Sequence, residues 1–142
     1  MIYYVDTSVI VSALTNETAT LRAQTWLAAR EPEDLAISEW VATEISAALS
    51  VKLRRGELTA DERTAALAAF HRTMTETFTV VPVLASDFRS AARLADRSAA
   101  GLRAGDALHL ALAAEHGAVM ATGDRRLHAA ATALGLRSDF VA

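Results

Sequence analysis

The sequence predicts an α/β domain of three layers, α/β/α, in which a parallel sheet of four to five strands lies between helices and an αα-hairpin is added. Three observations carry that expectation. Short apolar runs rich in β-branched residues alternate with longer stretches of helical spacing, the order that builds crossover units and hence a parallel sheet. The run at 104–114, AGDALHLALAA, is apolar almost all the way round a helix, so it packs on more than one side. At 142 residues, 52% hydrophobic and 22% charged, the chain can bury one core and not two, so residues 1–142 form a single domain.

Residues 2–5, IYYV, are too few for a buried helix and suit a first strand. It ends at Asp6. Val9, Ile10, Val11, Ala13 and Leu14 continue at helical spacing, so strand turns into helix at the acid. Leu21, Thr25, Trp26 and Ala29 predict a second helix ending near Glu31 and Pro32, and 35–37 a second strand. Ser38 is placed to cap a long helix over 39–55. At about 100° per residue its buried stripe is Val41, Ile45, Ala48 and Leu49; Glu44 falls on the shoulder between Trp40 and Ala48, while Glu39 faces away. Gly56 ends this helix, and Thr59 with Glu62 makes a capping box for the next, whose stripe is Ala66, Leu67, Phe70 and Met74. These two helices are the hairpin.

Residues 79–83 predict a third strand, which Pro82 assigns to a sheet edge. Ser86 and Asp87 open a helix through Phe88, Ala91, Leu94 and Ala95, and Gly101 and Gly105 bracket a turn before the apolar helix. Residues 118–122 give a fourth strand, 125–134 a helix closed by Gly135, and 136–141 a last strand around Phe140.

The net charge of −3 does not advertise a polyanion partner, although setting four carboxylates against bound cations would turn the balance positive. Basic residues cluster at Lys52, Arg54 and Arg55 and again at Arg125, Arg126 and His128; such runs are more often solvated helix faces than nucleic-acid contacts. At 6% aromatic, no base-stacking platform is indicated. Without cysteine there are no disulfides, thiol nucleophiles or cysteine metal sites. No run approaches the roughly 18 apolar residues of a membrane span, and Met1 leads straight into a strand, so a cytoplasmic protein is expected.

Four acids stand out. Asp6 and Asp124 follow strands, Glu44 leans toward the core from the helix after the second strand, and Asp106 opens the apolar helix. Each has a plain alternative: helix capping for Asp6, Asp106 and Asp124, and a salt bridge for Glu44. His109 shares a face with Asp106 and suits packing or support of a ligand better than ligation of a hard ion. Together the four would crowd one rim of the sheet, where like charges destabilise the fold unless neutralised. Hard divalent cations do this, and two of them about 4 Å apart can drive hydrolysis at phosphorus.

In order and spacing, Asp6-Thr7-Ser8 after an apolar strand, Ser38 with Glu44, the segment Leu102 to Ala111 around Asp106, and Thr122-Gly123-Asp124 resemble the PIN-domain ribonucleases, especially the VapC toxins of bacterial toxin–antitoxin pairs. The resemblance spans essentially the whole chain. It implies a PIN-like fold, hydrolysis of RNA phosphodiesters, and Mg²⁺ or Mn²⁺ held by Asp6, Glu44, Asp106 and Asp124, with Asp124 the loosest match because it can simply cap the last helix. Thr7, Ser8 and Thr122 would match orienting hydroxyls, and Arg103, Arg125 and Arg126 could hold the RNA backbone. It further implies a homodimer and a cognate antitoxin. A haloacid-dehalogenase-like phosphohydrolase also places an acid after its first strand, but it wants a second Asp where Ser8 stands; a receiver domain wants a lysine near the later acids, and the sole lysine is Lys52. A PIN-like binding module without catalysis is the remaining alternative.

Overall fold

Strands of three or four residues are stable here because each is paired and covered by helices. The computed structural model describes residues 1–141. β1 (Tyr3–Val5), β2 (Leu35–Ser38), β3 (Thr79–Val81), β4 (Val119–Thr122) and β5 (Ser138–Phe140) form one parallel sheet in the order β3-β2-β1-β4-β5. Every residue of β2 and β4 is buried, as the continuous apolar runs of a parallel sheet require. β3 is an edge strand, and its pairing stops at Val81, just before the proline that has no N–H to give.

α1 (Thr7–Leu14), α2 (Thr20–Ala28), α3 (Glu39–Arg54) and α4 (Ala60–Glu76) connect β1, β2 and β3, and α1 packs on the other three. α5 (Ala85–Arg97) and α6 (Ala104–Glu115) carry the chain back to β4, and α7 (Arg125–Ala133) joins β4 to β5. Right-handed crossovers running in opposite directions lie on opposite faces, so α1–α4 cover one face and α5–α7 the other. α3 and α4 form the expected hairpin. Its second helix starts with a complete capping box: Glu62 N–H donates to Thr59 Oγ1 at 3.1 Å and Thr59 N–H to Glu62 Oε1 at 2.9 Å.

Two local expectations are corrected. Gly105 does not bound a turn but lies in the first turn of α6, whereas Gly101, at φ 73°, does supply the turn. Ser38 ends β2 and precedes α3, yet its hydroxyl makes no cap. It is buried beside a tyrosine instead. Among the described residues no helix is long and apolar enough to cross a membrane.

The strand order fixes where a ligand can bind. From β1 the chain moves toward β2 on one side, while β4, on its other side, leads away to β5. The crevice beyond the carboxyl ends of β1 and β4 is therefore the switch point of the sheet, where α/β folds bind ligands.

Candidate active site

Asp6 stands at that crevice. Its N–H donates to Ala121 O at 2.9 Å, which extends the β1–β4 ladder by one residue and holds the acid beside the end of β4. Although Asp6 occupies the N-cap position of α1, its side chain caps nothing. Instead Oδ2 accepts the hydroxyls of Ser8 at 2.6 Å and Thr122 at 2.9 Å. A buried carboxylate needs such donors. Ser8 Oγ in turn accepts Gly123 N–H at 2.9 Å, so the turn after β4 is tied to the start of α1.

Glu44 enters from α3. Its Oε1 accepts the Thr7 hydroxyl at 2.7 Å and a hydrogen bond from His109 Nε2; Oε2 has no hydrogen-bond partner among the described residues. Partial burial alone would raise the Glu44 carboxyl, but the His109 hydrogen bond and charge, the Thr7 hydroxyl and Arg103 hold it below the ordinary value. His109 is fully buried on α6, with Nε2 also 3.6 Å from Asp6 Oδ1. Burial opposes its protonation; the bond to Glu44 and the charges of Asp6, Glu44 and Asp106 outweigh this and raise its pKa. Behind the ring, His109 Nδ1 lies 2.8 Å from the Tyr4 hydroxyl, which is 2.7 Å from Ser38 Oγ. This chain of buried groups fixes the imidazole with Nε2 toward the acids. The plain salt-bridge alternative for Glu44 is thus met by a histidine rather than by Lys or Arg.

Asp106 and Asp124 come from the start of α6 and the turn after β4. The exposed Arg103 joins them, with Nε 3.4 Å from Asp106 Oδ2 and Nη2 3.2 Å from Asp124 Oδ2. Burial, then the charge of Asp6, raise the pKa of Asp106; Asp124 adds to this, and Arg103 and His109 only partly offset it. Asp124 does cap α7, its Oδ1 accepting Arg126 N–H at 2.8 Å and Leu127 N–H at 3.3 Å, but its Oδ2 faces Arg103. Its own N–H donates to Thr122 Oγ1 at 3.0 Å, the hydroxyl that also holds Asp6. Asp6 and Glu44 thus meet at His109, while Asp106 and Asp124 share Arg103 and Asp124 reaches Asp6 through Thr122; among the described residues the close group of donor atoms holds Asp6, Glu44 and His109 but neither Asp106 nor Asp124.

A family model for the PIN domain matches residues 3–133. The chain belongs to the PIN-domain family. Among solved structures, this PIN domain resembles PAE2754 from Pyrobaculum aerophilum at 25% identity over 97% of this chain and 90% of that one, with a TM-score of 0.66. VapC20 from Mycobacterium tuberculosis, a toxin that cleaves the sarcin–ricin loop, is 21% identical over 90% and 94%, with a TM-score of 0.72. VapBC2 from Rickettsia felis, solved with a DNA fragment from its promoter, is 16% identical over 99% and 98%, with a TM-score of 0.66. At such identities the likeness to the two toxin structures is one of fold. No curated protein matches the sequence.

The donor set of this PIN domain fits a hard divalent cation. One ligand atom each of Asp6, Glu44 and His109 lie within 4.8 Å of one another, and Glu44 Oε2 carries no competing hydrogen bond. His109 Nε2 is committed to Glu44, which leaves the carboxylate oxygens as the available donors, the type Mg²⁺ and Mn²⁺ prefer. Among the arginines near the acids, Arg125 lies over the Phe140 ring at 5.1 Å, and Arg126 borders a groove shared with Arg103 and Asp106. Of the other basic cluster, Lys52 pairs with Glu17 at 3.0 Å and Glu57 at 3.5 Å and serves packing between α3 and its neighbours. Tyr4 and Arg103 are the participants whose positions the sequence does not disclose. The one signal for Tyr4 is a phenol inside a buried parallel strand, which must find a polar partner.

Proposed function

We propose that this PIN domain is a divalent-cation-dependent endoribonuclease acting as the toxin of a toxin–antitoxin pair. The convergence of Asp6 and Glu44 with His109 at the switch point, with Asp106 and Asp124 bridged by Arg103 beside them, is the observation that supports it. Asp6, Glu44 and Asp106, with Asp124 at the margin, would hold Mg²⁺ or Mn²⁺. When bound, such a cation supplies positive charge against phosphate oxygens and makes water a better nucleophile at neutral pH.

The chain's own residues do the rest. Ser8 and Thr122 lock Asp6, and Thr7 and His109 lock Glu44, so the carboxylates meet the ligand without first being reorganised. With no cation present, the clustered negative charge would repel a phosphodiester; neutralised, the crevice admits one, and Arg103, with Arg125 and Arg126 from the start of α7, would hold the backbone through salt-sensitive contacts. No Ser, Cys or His nucleophile is required. VapC20, described as cleaving an RNA loop, supports RNA as the substrate, and the VapBC2 complex supports an antitoxin partner. Exposed Leu84 at the N-cap of α5 and Phe88 on that helix, the latter lining an apolar cavity of about 270 Å³ together with Trp40, support association with a second copy. We place the protein in the cytoplasm with its RNA.

Incubation of the purified protein with total RNA tests the reading. We expect cleavage with Mn²⁺, none with EDTA, and a loss of at least about a hundredfold in Asp6→Asn. RNA binding without cleavage in Mn²⁺ would instead make the domain a binding module, and cleavage that survives both EDTA and Asp6→Asn would place the chemistry elsewhere.

A further inference from the structure

Among the described residues, Arg103 is the arginine whose guanidinium pairs with the acids of the site. It precedes α6 at the N-cap position, its side chain is 67% exposed, and its guanidinium spans Asp106 and Asp124, carboxylates brought together from different elements. The other positive group, His109, is buried and held between Tyr4 and Glu44, so it cannot leave. Arg103 can leave at little cost, because exposed ion pairs contribute little to stability. Its departure frees Oδ2 of both acids.

We propose that Arg103 is a displaceable counter-ion. It holds Asp106 and Asp124 while no divalent cation is bound, and gives up those oxygens and turns to the RNA backbone once a cation takes them. This rests on the cation-dependent nuclease reading above. Two features favour exchange over a permanent bridge. The guanidinium is a single positive charge shared between two carboxylates from different elements, so a doubly charged ion is the better match for the pair. The bridge is also a fork of two different nitrogens, Nε and Nη2, and the same planar donors suit a phosphate once they are free.

The test compares wild type with Arg103→Ala, a substitution at an exposed position that leaves the core untouched. Calorimetric titration with MnCl₂ should show Arg103→Ala binding Mn²⁺ roughly fivefold more tightly, since the competing ion pairs are gone. At saturating Mn²⁺ its KM for RNA should rise severalfold with kcat changed less. In wild type, the Arg103 Nε–H resonance should shift on titration with diamagnetic Mg²⁺. Unchanged or weaker Mn²⁺ binding by Arg103→Ala overturns the exchange while leaving the nuclease reading intact. Tighter Mn²⁺ binding with an unchanged KM overturns the transfer to RNA. Failure of wild type to bind Mn²⁺ overturns both the exchange and the reading beneath it.

Discussion

At the scale of single residues, the acids are less informative than the groups that hold them. Glu44 keeps one oxygen free because the other is shared by Thr7 and His109, and His109 can aim its Nε2 only because Nδ1 is satisfied by Tyr4. Removing an orienting partner behind a ligand costs about 10- to 100-fold in metal affinity. His109→Leu should therefore weaken Mn²⁺ binding by that order and also destabilise the fold by about 1–3 kcal/mol, because it takes one hydrogen bond from the half-buried Glu44 carboxylate, leaving it Thr7, and one from the Tyr4 hydroxyl, leaving it Ser38. His109→Gln can still present an N–H to Glu44 and should recover part of the Mn²⁺ affinity. Calorimetry on the two variants checks this: if His109→Leu binds Mn²⁺ as tightly as wild type, the histidine serves packing alone.

At the scale of elements, the site depends on how closely α6 approaches α3, and Gly105 sets that distance. A Cβ at this position would lie 3.0 Å from Glu44 Oε2 and 3.2 Å from Trp40 Nε1, so any side chain must push both aside. Gly105 is helical with no positive φ, and Ala is the better helix former by about 1 kcal/mol. Gly105→Ala should thus keep a melting temperature near that of wild type while displacing the free oxygen of Glu44, with RNA cleavage falling roughly tenfold or more. Melting curves beside cleavage rates separate the two effects; a variant as active as wild type would show that Glu44 moves without consequence. The same residue marks what the sequence could and could not disclose. The strand-to-helix turn at Asp6, the shoulder position of Glu44 and the opening of α6 at Asp106 follow from short apolar runs and the 3.6-residue period, and so they were legible. Gly105 suggests a turn on composition because the pattern along one chain holds no information about the indole and carboxylate opposite. Tyr4, Ser38 and His109 meet for a similarly non-local reason: β1 lies between β2 and β4 and beneath α6. Arg103 was readable as a nearby base, but its bridge depends on a side-chain rotamer.

At the scale of the whole molecule, the cost of gathering carboxylates at one rim falls on folding stability. The chain carries a net charge of −3, and part of its negative charge is concentrated in Asp6, Glu44, Asp106 and Asp124 along one rim, paired with His109 and Arg103 among the described residues. A cation that binds only the folded form relieves this repulsion and stabilises by mass action, about 2.7 kcal/mol at a concentration one hundred times Kd. For a domain of this size that corresponds to a rise in Tm of roughly 10 °C. Removing ligand charge should act in the opposite sense on the two states. Asp6→Asn combined with Asp106→Asn relieves repulsion between those two acids in the metal-free protein, so its Tm without metal should equal or exceed that of wild type, as substitutions at strained functional sites often do. The double variant should then show little further rise with Mn²⁺. Thermal scans of both proteins across a Mn²⁺ titration decide the matter: equal upward shifts would mean that the ion binds elsewhere on the surface, and a metal-free double variant well below wild type would mean that these acids hold the fold together rather than strain it.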